Sequence, residues 1–345
     1  MTHRLERMKL WSVIVLCLTL LGSALPGHAL AQEAEPAKEE ALLPFRYVRI
    51  WDKPVSVYAT PGDPARMTPV TTLLPPDSWV SIDEEIEQDG QLWYRIDEQE
   101  YVLAGDVLSS PPSLFQGTPV AEQPQYPIGY IIAPELNVRP TAGANNAPVA
   151  ALHRYDTVDI LETVKVDDSL WYKIGDDRYV HGSYVRVIYP VARPAEVSAE
   201  DRWVAVDLAQ QVLSAYEGDR MVYATLVSTG RPPFFTPKGL NRVWIKLQTG
   251  AMEGGDTEKG DYYYLQDVPW IMYFSRDVGL HAAFWHDRFG YPSSHGCVNL
   301  SPKDAKWLFD WTTPQLPFPD TRYVYASRNN PGTWVYVYAS SGGSS

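Results

Sequence analysis

Cys297 lies in the block Ser294-His295-Gly296-Cys297-Val298-Asn299, and a second histidine, His281, stands 16 residues before it. A thiol attacks as its thiolate, and an ordinary pKa near 8.5 means that a neighbouring imidazole must assist it at neutral pH. Two candidates are present. His295 is two residues from the cysteine and would share its face in extended backbone. His281 follows the strand-like Val278-Gly279-Leu280 and can reach Cys297 from an adjacent strand. Gly296 removes a Cβ beside the nucleophile, so backbone N–H groups can approach a developing oxyanion. These residues suit covalent acyl transfer by a thiol. Ser294 is expected to orient backbone or His295 rather than to react. Trp270, Tyr273 and Trp285 are expected in the core or lining a cleft, and His286 on a surface or lid.

The only other cysteine, Cys17, falls in a different context. Arg4, Arg7 and Lys9 precede an apolar run from Leu10 to Leu25, and Ala29-Leu30-Ala31 places small residues before Gln32. This is the layout of a secretory signal peptide over 1–31, with cleavage removing Cys17. An uncleaved anchor would be the one membrane attachment, although the run is short for a bilayer span of about 20 residues. Exported proteins usually pair their cysteines or omit them. A single remaining thiol beside histidines therefore reads as a nucleophile, and the cores must stand without a disulfide. The net charge of −13 argues against a nucleic-acid partner and against adhesion to anionic lipid. Histidines without carboxylates at ligand spacing give no metal site, and no cofactor is called for.

The chain that must position these groups has 345 residues, 29 of them Pro, 22 Tyr and 12 Trp. That composition predicts β-rich modules joined by stiff linkers. Residues 32–44 form a charged leader with the composition of disorder. Pro-rich stretches at 111–127 and 190–200 read as semi-rigid spacers. The segments they bound, 45–110 and 128–189, are copies of each other. Leu92-Trp93-Tyr94-Arg95-Ile96 matches Leu170-Trp171-Tyr172-Lys173-Ile174 at an offset of 78, and Tyr101-Val102 matches Tyr179-Val180. Val57 to Gly62 answers Val138 to Gly143 at an offset of 81. Alternating apolar residues and Gly, Asp and Pro turns predict short antiparallel strands, five or so per copy, suited to a small barrel. Trp93 and Trp171 would fill the two cores.

From Asp201 the pattern becomes that of a larger β-domain over 201–339, with a Ser/Gly tail at 340–345. Strands are predicted around 203–208, 211–216, 221–228, 243–245, 268–274 and 333–338. An acidic, Gly-rich insert runs from Met252 to Asp261. Ser301-Pro302-Lys303-Asp304 signals the single helix start, with a capping serine, proline in the first turn and an acid at the third position. Cys297 therefore sits a few residues before a helix, on a strand or turn.

Asn137-Val138-Arg139-Pro140, Trp171-Tyr172-Lys173-Ile174 and Tyr179-Val180-His181-Gly182 resemble bacterial SH3-like modules, which often accompany cell-wall enzymes. The first copy lacks the Asn-Val-Arg and has drifted. A His, a gap and Ser-His-Gly-Cys-hydrophobic-Asn resembles the signature of YkuD-type L,D-transpeptidases, and Ser228-Thr229-Gly230 and Thr236-Pro237-Lys238-Gly239 match that family's upstream loops. The resemblance implies a mainly β protein: two small SH3-like β-barrels, then a YkuD-type β-sandwich catalytic domain with one short helix after the nucleophile.

It also implies roles. Cys297 would be the nucleophile and His281 its base, oriented by the Ala282 carbonyl. Amides of His295, Gly296 and Cys297 would line an oxyanion hole. Many relatives carry Gly or Ser where this chain has Ala282, and Arg where it has Asn299. Carboxylate recognition is therefore unassigned, with Arg288 and Lys238 as candidates, and Ser294, Asn299, Tyr273 and Trp285 as further substrate-binding candidates. The implied reaction is peptidoglycan L,D-transpeptidation on wall stem peptides in the cell envelope, inhibited by carbapenems. The alternatives are an L,D-carboxypeptidase or wall hydrolase of the same family, or a catalytically silent wall-binding protein. A papain-like endopeptidase is disfavoured because there the cysteine precedes the histidine.

Overall fold

The computed structural model describes residues 42–73 and 77–341. The signal-peptide assignment, nearly all of the leader and most of the tail lie outside the described residues. The fold is mainly β, with one α-helix among the described residues, Pro302–Trp311. Two sheets sandwich the main core. A six-stranded sheet runs in the order Gly239–Arg242, Trp334–Tyr338, Arg202–Asp207, Val212–Glu217, Arg220–Leu226 and Thr118–Pro119. The facing eight-stranded sheet contains Val298–Leu300, Val278–Ala282 and the long hairpin Ile245–Gly254 and Tyr263–Ser275.

Alternation along the central strand shows why it is apolar throughout. Val204 and Val206 point into the core shared with Ile271, Met272, Leu280 and Val298. Trp203 and Ala205 point the other way, into a second core with Tyr130, Ile132 and Ile188 of the second repeat. A strand buried on both faces loses the polar half of its two-residue period.

The helix begins as its sequence predicts. Ser301 Oγ accepts from the Asp304 amide at 3.2 Å, and Pro302 takes the first turn. The Asp304 side chain, beside the capping Ser301, also turns into the core. It accepts from the Gly117 amide at 2.8 Å, from the Tyr223 hydroxyl at 2.7 Å and from Thr225 Oγ1. At the other end Lys246, 1% exposed, donates to the carbonyls of Thr312 (2.8 Å) and Phe309. Burial lowers the Lys246 pKa to about 7, and in its protonated form it complements the negative end of the helix.

The two copies repeat in backbone detail. Glu84–Gln88, Gln91–Asp97 and Glu100–Leu103 form one three-stranded meander; Glu162–Val166, Ser169–Gly175 and Arg178–His181 form the other. The register slips between Arg95 and Asp97 in one and between Lys173 and Gly175 in the other. The left-handed turn residues also correspond: Asp89 with Asp167, and Gln99 with Asp177. Trp93 and Trp171 are both buried.

The expected closed barrels are absent; each copy is built of separate two- and three-stranded sheets or contributes strands to a larger one. In the first copy, Arg46–Ile50 and Asp77–Ile82 join the eight-stranded sheet, because Asp77, Ser78 and Trp79 pair in parallel with Tyr263, Tyr264 and Leu265. The stretch 111–127 is not a free span either. Thr118 and Pro119 pair with Ala224 and Tyr223, and Ser113 Oγ donates to Asp287 at 2.5 Å. Of the segment 252–261, residues 252–254 continue a strand, and only the turn beyond them is irregular.

Candidate active site

Strand Val298–Leu300 pairs in parallel with Val278–Ala282, placing Asn299 opposite His281 and Val298 opposite Leu280. Cys297 and His281 thus enter one cleft from neighbouring strands, and both line it. Three strand residues carry the chain from Cys297 to the helix cap at Ser301, which anchors Cys297 from behind.

His281 is 2% exposed, and its Nδ1 lies 3.1 Å from the Ala282 carbonyl. A carbonyl only accepts, so Nδ1 carries the hydrogen and Nε2 keeps its lone pair. Burial pulls the His281 pKa down to about 4, against the pull of the Ala282 carbonyl. Burial pushes the Cys297 thiol up to about 11; the Gly279 N–H, donating to Sγ at 3.5 Å, opposes this, and the Asp277 carboxylate adds to it. The thiol itself donates to the Asp277 carbonyl at 3.8 Å. Both partners are therefore neutral at pH 7. The cleft therefore holds a thiol and an imidazole that are both uncharged, rather than a standing ion pair.

The turn before the cysteine is knotted by Ser294. Its Oγ donates to the Cys297 carbonyl at 2.5 Å and accepts from the Gly296 amide at 3.0 Å. Thr236 Oγ1 donates to the Gly296 carbonyl at 2.7 Å, which ties in the upstream loop. Gly296 has φ +122°, while a Cβ there would meet nothing closer than 3.6 Å. The position needs glycine for its dihedral and not for space. The Gly296 amide, one of the three expected oxyanion donors, is engaged by Ser294.

His295 also lines the cleft, and its Nε2 is buried without a hydrogen-bond partner. Its ring stacks on Tyr263 (4.8 Å, 24°) and tilts against Phe234 (4.6 Å), and burial followed by the nearby Arg231 lowers its pKa. Trp285 stacks on His281 at 5.8 Å and lines the cleft. Arg288 is exposed at the rim. Tyr273 packs on Trp244 instead, although the neighbouring Cys297 adds to the burial that raises its hydroxyl to about 12. Lys238 is exposed and is not among the residues of the cleft wall.

Asn299 and His286 fix each other's protons. The Arg288 amide donates to His286 Nδ1 at 3.2 Å, so a neutral ring carries its hydrogen on Nε2. That nitrogen is 3.0 Å from the Asn299 amide group. With Oδ1 turned to Nε2, the bond is satisfied and the otherwise partnerless buried Oδ1 gains a donor. Burial holds His286 neutral, with a pKa near 4.

The cleft has a volume of about 470 Å³. The sequence did not reveal one of its walls: Arg49, Asp77 and Trp79 come from the first repeat, and nothing in their local pattern signals a site. Tyr263 and Arg231 were also missed, though Arg231 directly follows Ser228-Thr229-Gly230.

Residues 201–337 match the YkuD family, described as the L,D-transpeptidase catalytic domain. The chain is 35% identical over 92 residues to L,D-transpeptidase 1 of Mycobacterium tuberculosis, covering 25% of this chain and 37% of that protein's length. It is 26% identical to the Enterococcus faecium L,D-transpeptidase C442S mutant, covering 40% of this chain and 50% of that one, with a TM-score of 0.31. A third relative, the LD transpeptidase LdtMt1, solved in complex with imipenem, is 20% identical, covering 49% and 76%, with a TM-score of 0.33.

Proposed function

We propose, from the premise that residues 201–337 are an L,D-transpeptidase catalytic domain of the YkuD family, that this protein crosslinks peptidoglycan stems through a thioester on Cys297. The observation that carries the reading is the neutral thiol sharing a cleft with an imidazole whose Nδ1 hydrogen is held by the Ala282 carbonyl. Cys297 attacks the carbonyl of the diamino acid in a wall tetrapeptide as His281 Nε2 takes the thiol proton. The amides of His295 and Cys297 stabilise the oxyanion. Collapse returns that proton to the departing amine and releases D-Ala. A side-chain amine of a second stem then attacks the thioester, His281 again moving the proton, and a new amide replaces the one broken. Energy from the cleaved bond is conserved in the thioester, so no cofactor enters.

The same reading makes the protein exported, its 1–31 segment a signal peptide and its two repeats SH3-like modules of a cell-envelope enzyme. The test is incubation with purified tetrapeptide-containing wall fragments. Crosslinked dimer together with free D-Ala supports transpeptidation. Tripeptide alone would move the assignment to a carboxypeptidase, and no product would sink both. A carbapenem is expected to add to the protein once, and Cys297→Ala to abolish the adduct in an intact-mass spectrum. An adduct that persists on the variant would remove Cys297 as nucleophile.

A further inference from the structure

The wall contributed by the first repeat has the chemistry of a ligand site. Arg49 and Trp79 are directly paired on neighbouring strands. The Arg49 guanidinium lies 4.2 Å from the centre of the Trp51 ring and 4.7 Å from that of Trp79, so both indoles hold it. Trp79 is fixed in turn, 4% exposed, with its Nε1 donating to Ser110 Oγ at 3.1 Å. Asp77 takes one nitrogen of the guanidinium, with Nη2 to Oδ1 at 3.2 Å. Arg49 Nε is buried without a partner. That buried donor leaves the guanidinium only partly paired, while its side chain, 28% exposed, still reaches the cleft wall.

Charge in the cleft agrees. Arg49, Arg231 and Arg288 outnumber Asp77 and Asp277 there, in a chain of net charge −13. Of the three arginines, Arg231 and Arg288 are exposed, and Arg49 is the one held in a fixed orientation. Trp-stacked arginine presents a planar fork of N–H donors, and a carboxylate is the anion that fork matches.

We infer that the first repeat completes the substrate site, and that Arg49 binds a carboxylate of the peptide whose acyl group Cys297 accepts. The substrate is thus an acidic peptide read by two domains at once, and the carboxylate recognition left open by Asn299 is supplied from outside the catalytic domain. The peptide's identity rests on the reading above; the anion site does not.

Two measurements on the full-length protein keep these apart. The first compares alkylation of Cys297 by iodoacetate and by the neutral iodoacetamide at one pH. In Arg49→Gln the iodoacetate rate should fall several-fold relative to the iodoacetamide rate, and Arg49→Lys should keep most of the ratio because it keeps the charge. The second is turnover of the tetrapeptide. Arg49→Gln should raise KM about ten-fold or more with kcat little changed, the loss expected for a charge-assisted hydrogen bond. Amidating the peptide carboxylates should abolish the difference between variant and parent. Unchanged alkylation ratio and unchanged KM in Arg49→Gln would overturn the inference. A changed ratio with no turnover by the parent protein would keep the anion site and remove the peptide.

Discussion

The two repeats share a meander, a bulge and their turn dihedrals, yet they attach to the catalytic domain by different edges. The first adds its strands to the catalytic sheet through Asp77–Trp79 and sends side chains into the cleft. The second lays Tyr130, Ile132 and Ile188 against the back of the six-stranded sheet and supports the loop carrying Trp285 and His286 from outside. The copy that lacks the Asn-Val-Arg is the one that reaches the Cys297 cleft. The two copies share one meander, and the strand edge at Asp77–Trp79, rather than the meander, is what brings the first into the site.

Paired truncations give the strongest test of that contrast. Tyr47 of the first repeat stacks on Phe284 at 3.5 Å and donates to the Asp267 carbonyl at 2.8 Å. Tyr130 of the second is fully buried and donates to the Ala224 carbonyl at 2.8 Å. Either residue changed to alanine should cost about 3–5 kcal/mol in denaturant unfolding, as for large aromatic truncations generally. Only Tyr47→Ala should also raise KM for the peptide once rates are corrected for folded fraction, because it loosens a wall of the cleft. Equal kinetic effects from both variants would erase the distinction.

A smaller effect concerns the stretch between the repeats. Asp304→Ala leaves the Gly117 N–H and the Tyr223 and Thr225 hydroxyls buried without their shared acceptor. A loss of about 2–3 kcal/mol is expected, since unpaired buried donors cost roughly 1–3 kcal/mol each and do not add fully. Hydrogen exchange should quicken at Gly117 and the residues around it. Exchange there as fast as in an unfolded peptide before the change would mean that this stretch is a spacer after all.

The pH profile separates both repeats from the chemistry. With His281 neutral above about pH 4 and the thiol protonated up to about pH 11, carbapenem acylation through general-base attack should be flat from about pH 5.5 to 8.5. It should fall about ten-fold per unit below pH 4, where His281 binds a proton and can no longer accept one. Tyr47→Ala and Tyr130→Ala should leave this shape unaltered. A ten-fold rise per unit between pH 6 and 8 would instead mean attack by a preformed thiolate without the histidine.

Much of the catalytic half was legible because its signals are local. The Ser-His-Gly-Cys block, the Ser301-Pro302 helix start and the strand from Trp203 each follow from a few neighbouring residues. What stayed hidden depends on pairing between distant segments. Arg49 reads as an ordinary strand residue until Asp77–Trp79 pairs with Tyr263–Leu265, 186 positions along the chain. Likewise the prolines at 111–127 predict a stiff extended chain, and stiffness alone does not reveal that the sheet edge at Tyr223 and Ala224 is there to receive it. His295 is a different case: adjacency to Cys297 made it a candidate, and packing against Tyr263 and Phe234, which a local reading does not show, sets its ring in the cleft wall.

The finest test is a single hydroxyl on the second repeat. Tyr155, held between Phe115 at 4.3 Å and the Arg154 guanidinium at 5.0 Å, donates to Asp287 Oδ1 at 2.8 Å. Asp287 is the neighbour of His286, which fixes Asn299 at the edge of the cleft. Tyr155→Phe removes that donor and keeps the ring, so it should cost about 1 kcal/mol or less of stability, the net worth of a hydrogen bond with solvent close by. Ser113 Oγ still donates to the same carboxylate, which keeps the loop in place. If the second repeat acts only as support, KM should move less than about two-fold, well short of the ten-fold set for Arg49→Gln. A change in KM as large as that of Arg49→Gln would place both repeats at the substrate, and the division of labour between them would fail.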